Sequence, residues 1–345
     1  MKRIGYLYEK IYDMDNLILA EANARRHKKR KGRLPYGIRR FDKNSTRNLE
    51  ELQQQLISGT FEPSVFQSMQ VKADHGKIRD ISKVPYFPDR ILHHAVMNII
   101  NPYIEKKMIY DSYACVVGKG TMFGVRRIKE ALKDRKGTEW FLKIDIVKFY
   151  PTIDQDLTMQ MLRKTFKDER LLNLIEKIIR SAPQGLPIGF YTSQPLANFV
   201  LSELDHFIKE KLRIKYYFRY CDDMVFMSDS KAILQEAYTI VSEKIEREFN
   251  QKLHTNYILA RVGEPVPNET LRYRRPSRQT NRLSGLSVHP QQDAAPQVDE
   301  AEICPQAQES EKSSTPSGNT RQLQGLVYER GLYQPMENNN RNEKF

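Results

Sequence analysis

Asp145 closes a short apolar run, EWFLKIDI (139–146), and two adjacent aspartates, Asp222 and Asp223, sit inside IKYYFRYCDDMVFM (214–227), 77 positions further along. Carboxylates flanked by apolar strand residues are costly to bury unless positive charge offsets theirs. Two magnesium ions would supply that charge. Phosphoryl transfer needs hard oxygen ligands that hold two cations about 4 Å apart, one activating an attacking hydroxyl and the other steadying a leaving pyrophosphate. One aspartate from a strand and a neighbouring one from a hairpin can build such a clamp. An Asp-Asp pair also makes an ordinary β-turn, so the surrounding elements decide its meaning.

Those elements alternate between sheet and helix. In 139–146, Trp140, Leu142 and Ile144 share one face and Phe141, Lys143 and Asp145 the other, which predicts a strand with an acid at its end. The aromatic and β-branched residues on both sides of Asp222-Asp223 predict a hairpin with an acidic turn. Between them, 155–179 reads as helical material carrying Leu171, Leu174, Ile175, Ile178 and Ile179 on a common face. The stretch 195–212 is a helix on Leu196, Phe199, Val200, Leu204, Phe207 and Ile208, with Pro195 in its first turn. A further helix spans about 231–249. This succession predicts an α+β domain, an antiparallel sheet covered by helices on one face. Upstream, 48–57 reads as a helix ended by Gly59, and 71–84 as a hairpin turning at Asp74-His75-Gly76 with Lys72, Lys77 and Arg79 on its arms. Asp89 opens a helix through Ile100, in which His93 and His94 read as packed residues rather than metal ligands.

The 345 residues carry a net charge of +13, and residues 263–345 hold 10 basic against 11 acidic side chains, so the surplus belongs to the body. A folded region this basic favours a polyanion such as nucleic acid. The run RRHKKRKGR (25–33) is the densest part, and Arg25, Arg26, Lys28, Lys29 and Arg30 are expected to contact phosphates, with salt-dependent affinity. No apolar stretch approaches a membrane span, acidic residues interrupt the N-terminus where a signal peptide would be apolar, and three scattered cysteines suit a reducing compartment; a soluble cytoplasmic protein is expected, with no membrane partner. After Val262, eight of the 17 prolines and several polar runs predict a largely disordered tail.

YCDD (220–223) resembles the Tyr-X-Asp-Asp box of reverse transcriptases, and FLKIDIVKFYPTID (141–154) is similar to that family's first catalytic palm motif. GLPIGFYTSQPLANFVLSELD (185–205) matches its Gly-X-X-X-Ser segment and following helix, and KIRDIS, PDRILHHAV and YDSYACVVGKGT resemble its bacterial fingers motifs. The resemblance implies a right-hand polymerase fold with fingers and palm, in which Asp145, Asp222 and Asp223 form the site for two Mg²⁺ ions and the carbonyl of Ile146 is a further ligand. Asp145 and Asp222 are the firmest of these; Asp223 acts more through electrostatics. Tyr150 falls where the family places a ring that excludes a ribose 2′-hydroxyl. Arg79, then Lys77 and Lys72, lie where the fingers contact the incoming triphosphate. The implied organisation is a basic N-terminal region (1–64), fingers (65–137), a palm (138–253) with a fingers insertion near 155–187, and a divergent thumb with tail (254–345). No segment after Leu253 reads as a primer-grip hairpin or helical thumb.

One departure narrows the resemblance. Most reverse transcriptases begin the third palm motif with Gln-Gly and end it with Ser-Pro, whereas this chain has Ile188, Gly189, Ser193 and Gln194, a form similar to reverse transcriptases of diversity-generating retroelements. That family copies a template RNA into cDNA with frequent errors opposite adenine, and a small basic accessory protein is its usual partner. Ile188, Gly189 and Gln194 are therefore expected beside the incoming dNTP, opposite template RNA and a cDNA or primer strand. The alternatives are a retron or group II intron type of enzyme, against which Gln194 in place of proline argues, and a polymerase fold that only binds RNA.

Overall fold

The computed structural model describes residues 3–28, 32–72 and 78–263. Four helices come first: α1 (Tyr8–Tyr12), α2 (Met14–Arg25), α3 (Tyr36–Asp42) and α4 (Ser45–Ser58). Helix α4 buries Leu49, Leu52 and Leu56 on one stripe and stops at Gly59, whose φ of 73° is the left-handed conformation glycine tolerates best. A hairpin of β1 (Gln67–Lys72) and β2 (Ile78–Lys83) follows, then α5 (Ile91–Glu105) and α6 (Thr121–Ala131). The remaining α-helices and strands are β3 (Trp140–Ile144), α7 (Phe149–Thr152), α8 (Gln155–Thr165), α9 (Glu169–Arg180), α10 (Ser193–His206), which runs on into a π-helical turn (Phe207–Lys211), β4 (Tyr216–Tyr220), β5 (Asp223–Ser228), α11 (Lys231–Phe249) and β6 (Ile258–Arg261).

The helical material predicted for 155–179 is two helices. Ile4 donates to the Thr165 carbonyl at 2.9 Å and accepts from the Lys167 amide at 2.7 Å, so an N-terminal segment takes the backbone groups that a continuous helix would use. Asp168 then caps α9 through the Leu171 amide and also accepts from the amides of Leu7 and Tyr8.

Strands β3 to β6 form one antiparallel sheet in the order β4-β5-β3-β6. Leu142 and Ile144 face the larger core, where α11 packs against β3 and β5. Phe141, Phe218 and Val225 on the other face are covered by Ile128 and Ala131 of α6, so helices lie on both faces rather than one. Strand β6 lies beyond the boundary expected at 253 and pairs with β3 from Trp140↔Arg261 to Lys143↔Ile258. Among the described residues no helix is long and apolar enough to cross a membrane. Residues 264–345, including the tail expected to be disordered and Cys304, lie outside the described residues, as do Lys29, Arg30, Lys77 and the turn at Asp74-His75-Gly76.

His93 and His94 are buried on α5, where His94 stacks on Tyr191 at 3.7 Å between ring centroids and His93 tilts against Phe190 at 5.0 Å. Burial first, and the Arg90 charge second, push both imidazoles down to about 3. The unfolded chain takes up these protons near pH 6.5 and the folded chain only near 3. Their stabilising contribution is therefore complete above 6.5 and is lost as the pH falls towards 3, at roughly 1.4 kcal/mol per histidine per pH unit. Urea unfolding at about pH 7 and about pH 5.5 should show the loss, and His94→Phe, which keeps a stacked ring, should make it shallower; an equal loss in both proteins would contradict this reading.

Candidate active site

Pairing between β3 and β5 runs from Trp140↔Ser228 to Ile144↔Met224. One step further along this register, Asp145 comes opposite Asp223, and residues that oppose one another across a ladder project to the same face. Lys143, two residues before Asp145 and on its face, confirms this: its Nζ lies 3.7 Å from Asp223 Oδ1. Asp145 is buried. Strand β4 pairs with β5 out to Tyr220↔Asp223, leaving Cys221 and Asp222 as the two turn residues. Cys221 takes a φ of 51°, a conformation unusual for a residue with a side chain.

A segment that sequence reasoning missed closes the site from behind. After Asn250 ends α11 in the left-handed conformation, Gln251 donates to the Phe149 carbonyl and to Thr152 Oγ1. Val147 donates to the Lys252 carbonyl, Ile146 bridges Leu253, and the His254 amide donates to the Asp145 carbonyl at 2.9 Å. The His254 ring thereby stands beside the Asp145 carboxylate, Nε2 to Oδ2 3.8 Å. Lys143 shares the face of Asp145 by strand alternation, whereas His254 carries no spacing signal and reaches Asp145 only through the pairing of 251–254 with 145–147.

Tyr150, on α7, directs its hydroxyl to Cys221 Sγ at 3.7 Å and so bridges the first motif and the acidic turn. Burial raises the Tyr150 phenol well above its usual value and pushes the Cys221 thiol up to about 12, so both stay protonated. The Tyr150 carbonyl accepts from Leu186, which ties the loop before α10 to the same place. Ile188 accepts from the Ser82 amide of β2 at 2.7 Å, so that loop also joins the β1–β2 hairpin. Gly189 has a φ of 110°, and a Cβ there would lie 2.4 Å from the Ser82 carbonyl oxygen. Gln194, near the start of α10, accepts a hydrogen bond from the Cys115 thiol.

The cationic residues are placed less uniformly. Arg79 is exposed on β2, opposite Val71, and Lys72 ends β1 opposite Ile78. In the basic run Arg26 is exposed, but Lys28 is buried and Arg25 is held by Glu21 and Asp42. Arg25 is therefore engaged in an ion-pair network, because Glu21 of its own helix and Asp42 at the end of α3 together satisfy the guanidinium.

The donor set suits magnesium. It consists of carboxylates at the facing ends of paired strands, and Mg²⁺ binds through one or two carboxylates completed by water and substrate phosphates rather than by an all-protein cage. Among the described residues no group of three or more His, Cys, Asp or Glu side chains stands together as a ready-made metal site.

The profile of the family described as "Reverse transcriptase (RNA-dependent DNA polymerase)" matches residues 70–256, and the chain belongs to that family. Its sheet and helices are accordingly those of a right-hand polymerase fold with palm and fingers. The chain is 27% identical to Protein YkfC of Escherichia coli (strain K12) over 175 residues, covering 47% of this chain and 46% of that protein. It is 28% identical to the Retron Ec73 reverse transcriptase of Escherichia coli over 176 residues, covering 46% and 54%. A solved telomerase structure from Candida albicans, in complex with a TWJ fragment of telomeric RNA, superposes with a TM-score of 0.45 at 12% identity, covering 61% of this chain and 47% of that one. The matches span about half the length of these curated relatives.

Proposed function

We propose that the chain is an RNA-directed DNA polymerase of a diversity-generating retroelement, copying template RNA into cDNA by nucleotidyl transfer. The observation that carries the polymerase reading is the register that brings Asp145 opposite Asp223 with Asp222 in the adjoining turn. In this reaction the primer 3′-hydroxyl displaces pyrophosphate from the α-phosphorus of a dNTP. Asp145, Asp222 and Asp223, with the Ile146 carbonyl, would hold two Mg²⁺ ions, whose chemistry is to acidify the hydroxyl and neutralise the departing pyrophosphate. Tyr150 excludes a ribose 2′-hydroxyl by its ring, and Arg79, with Lys72 and Lys77, offsets charge on the triphosphate. Arg26 and Lys29–Arg30 would track the phosphates of template and primer. A small basic accessory protein is the expected partner.

The retroelement assignment rests on Ile188, Gly189 and Gln194. An isoleucine at 188 offers no amide to the nucleotide, so correct pairing geometry loses a polar restraint. Replacing Ile188 by Gln should reduce misincorporation opposite adenine in cDNA made on the cognate template; an unchanged error spectrum would count against the role. A second reading, a retron-type enzyme, is favoured by the 28% identity to the Retron Ec73 enzyme. Sequencing wild-type cDNA separates the two: errors concentrated opposite adenine support the first, and uniformly low error supports the second.

A further inference from the structure

Beneath the acidic turn lies a buried polar network that the proposed chemistry does not use. Arg219, on β4, has no exposed side-chain surface, and its guanidinium clamps Asp205 of α10 through Nε at 2.8 and 3.0 Å and Nη2 at 2.6 Å. Tyr217 donates to the same carboxylate at 2.7 Å. The remaining nitrogen, Nη1, donates in two directions, to Asn198 Oδ1 at 2.8 Å and to the carbonyl of Cys221 at 2.9 Å. Asn198 is held in turn by its own bond to the Ala114 carbonyl at 2.8 Å.

The Cys221 carbonyl belongs to the planar peptide that joins Cys221 to Asp222, so fixing this oxygen fixes the plane from which the Asp222 backbone departs. The turn needs such a restraint, because Cys221 occupies the left-handed region at φ 51°, which a side chain disfavours. A buried ion pair is no better for stability than well-packed apolar residues, so stability alone gives no reason for this one. We propose that Arg219 is a positioning residue for the Asp222 carboxylate, holding the acidic turn by the Cys221 carbonyl while Asp205 and Asn198 hold the guanidinium. The inference rests on the reading of Asp222 as a metal-holding group.

Lysine separates this role from simple ion pairing. Its ammonium can pair with Asp205, but it lacks the planar fork that spans the carboxylate and the turn carbonyl together. The test uses the full chain with RNA template, a dideoxy-terminated primer and dNTP, and reads Mg²⁺ binding by calorimetry alongside the melting temperature and primer–template affinity. Arg219→Lys should melt near wild type and bind primer–template equally well, yet require roughly 10–100-fold more Mg²⁺ for half-saturation. Should Arg219→Lys fail to fold, the neutral pair Asp205→Asn with Arg219→Gln carries the same comparison. Unchanged Mg²⁺ half-saturation in a folded variant overturns the inference. Asp222→Ala in parallel distinguishes the two levels: wild-type Mg²⁺ binding there removes the reading of Asp222 itself, whereas loss there with wild-type behaviour in Arg219→Lys removes only the positioning role.

Discussion

Replacing Asp145 by alanine should lower single-nucleotide incorporation by about 10³-fold or more, since on the proposed reading it removes a carboxylate that would hold the cations offsetting charge at the reacting phosphate. Folding should survive. Asp145 is buried with the His254 ring beside its carboxylate rather than among apolar groups alone, so its removal relieves a desolvation cost as well as breaking a contact. The His254 amide donates to the Asp145 backbone carbonyl, which alanine retains. Primer–template affinity should therefore stay near wild type while the rate collapses. A parallel loss of binding and rate would point to misfolding instead, and an unchanged rate would remove Asp145 from the chemistry.

Gly189→Ala should have the second large effect, this time on the contact between the β1–β2 hairpin and the loop before α10. A methyl group at φ 110° would be strained, and its carbon would meet the Ser82 carbonyl oxygen at 2.4 Å and Ile81 Cγ2 at 3.0 Å. Neither neighbour yields easily, because Ser82 is tied to Ile188 by the 2.7 Å bond and both belong to the β2 strand. Strain and overpacking together should cost about 2–4 kcal/mol. Urea denaturation reads the stability, and the KM for dNTP should rise as the β1–β2 hairpin moves away from the loop. A variant with wild-type stability and KM would show that this contact does not hold the hairpin in place.

The parts of the fold that local patterning controls were legible in the sequence. Alternation in 139–146 and the aromatic flanks of Asp222-Asp223 gave β3, β4 and β5, and the helical period gave α4, α10 and α11. What escaped depends on groups distant along the chain. The break between α8 and α9 arises where Ile4 docks onto Thr165 and Lys167. Strand β6 is only four residues long, and its pairing with β3 is a long-range choice that no local pattern announces. The same holds in the site. Asp145 and the Asp-Asp pair stood out by type and placement and Tyr150 through the family resemblance, whereas Arg219 reads as one polar residue in an aromatic run, and His254 reaches Asp145 only because 251–254 folds back on 145–147. In the basic run, charge density was visible but not the carboxylates of Glu21 and Asp42 that engage Arg25.

Primer extension on poly(rA)–oligo(dT) in the presence of Mg²⁺, comparing wild type with a folded Asp222→Ala variant, bears most directly on the site as a whole. Mg²⁺-dependent DNA synthesis by the wild type and none by the variant is the predicted result. Equal incorporation by both would contradict the assignment of the three aspartates to nucleotidyl transfer.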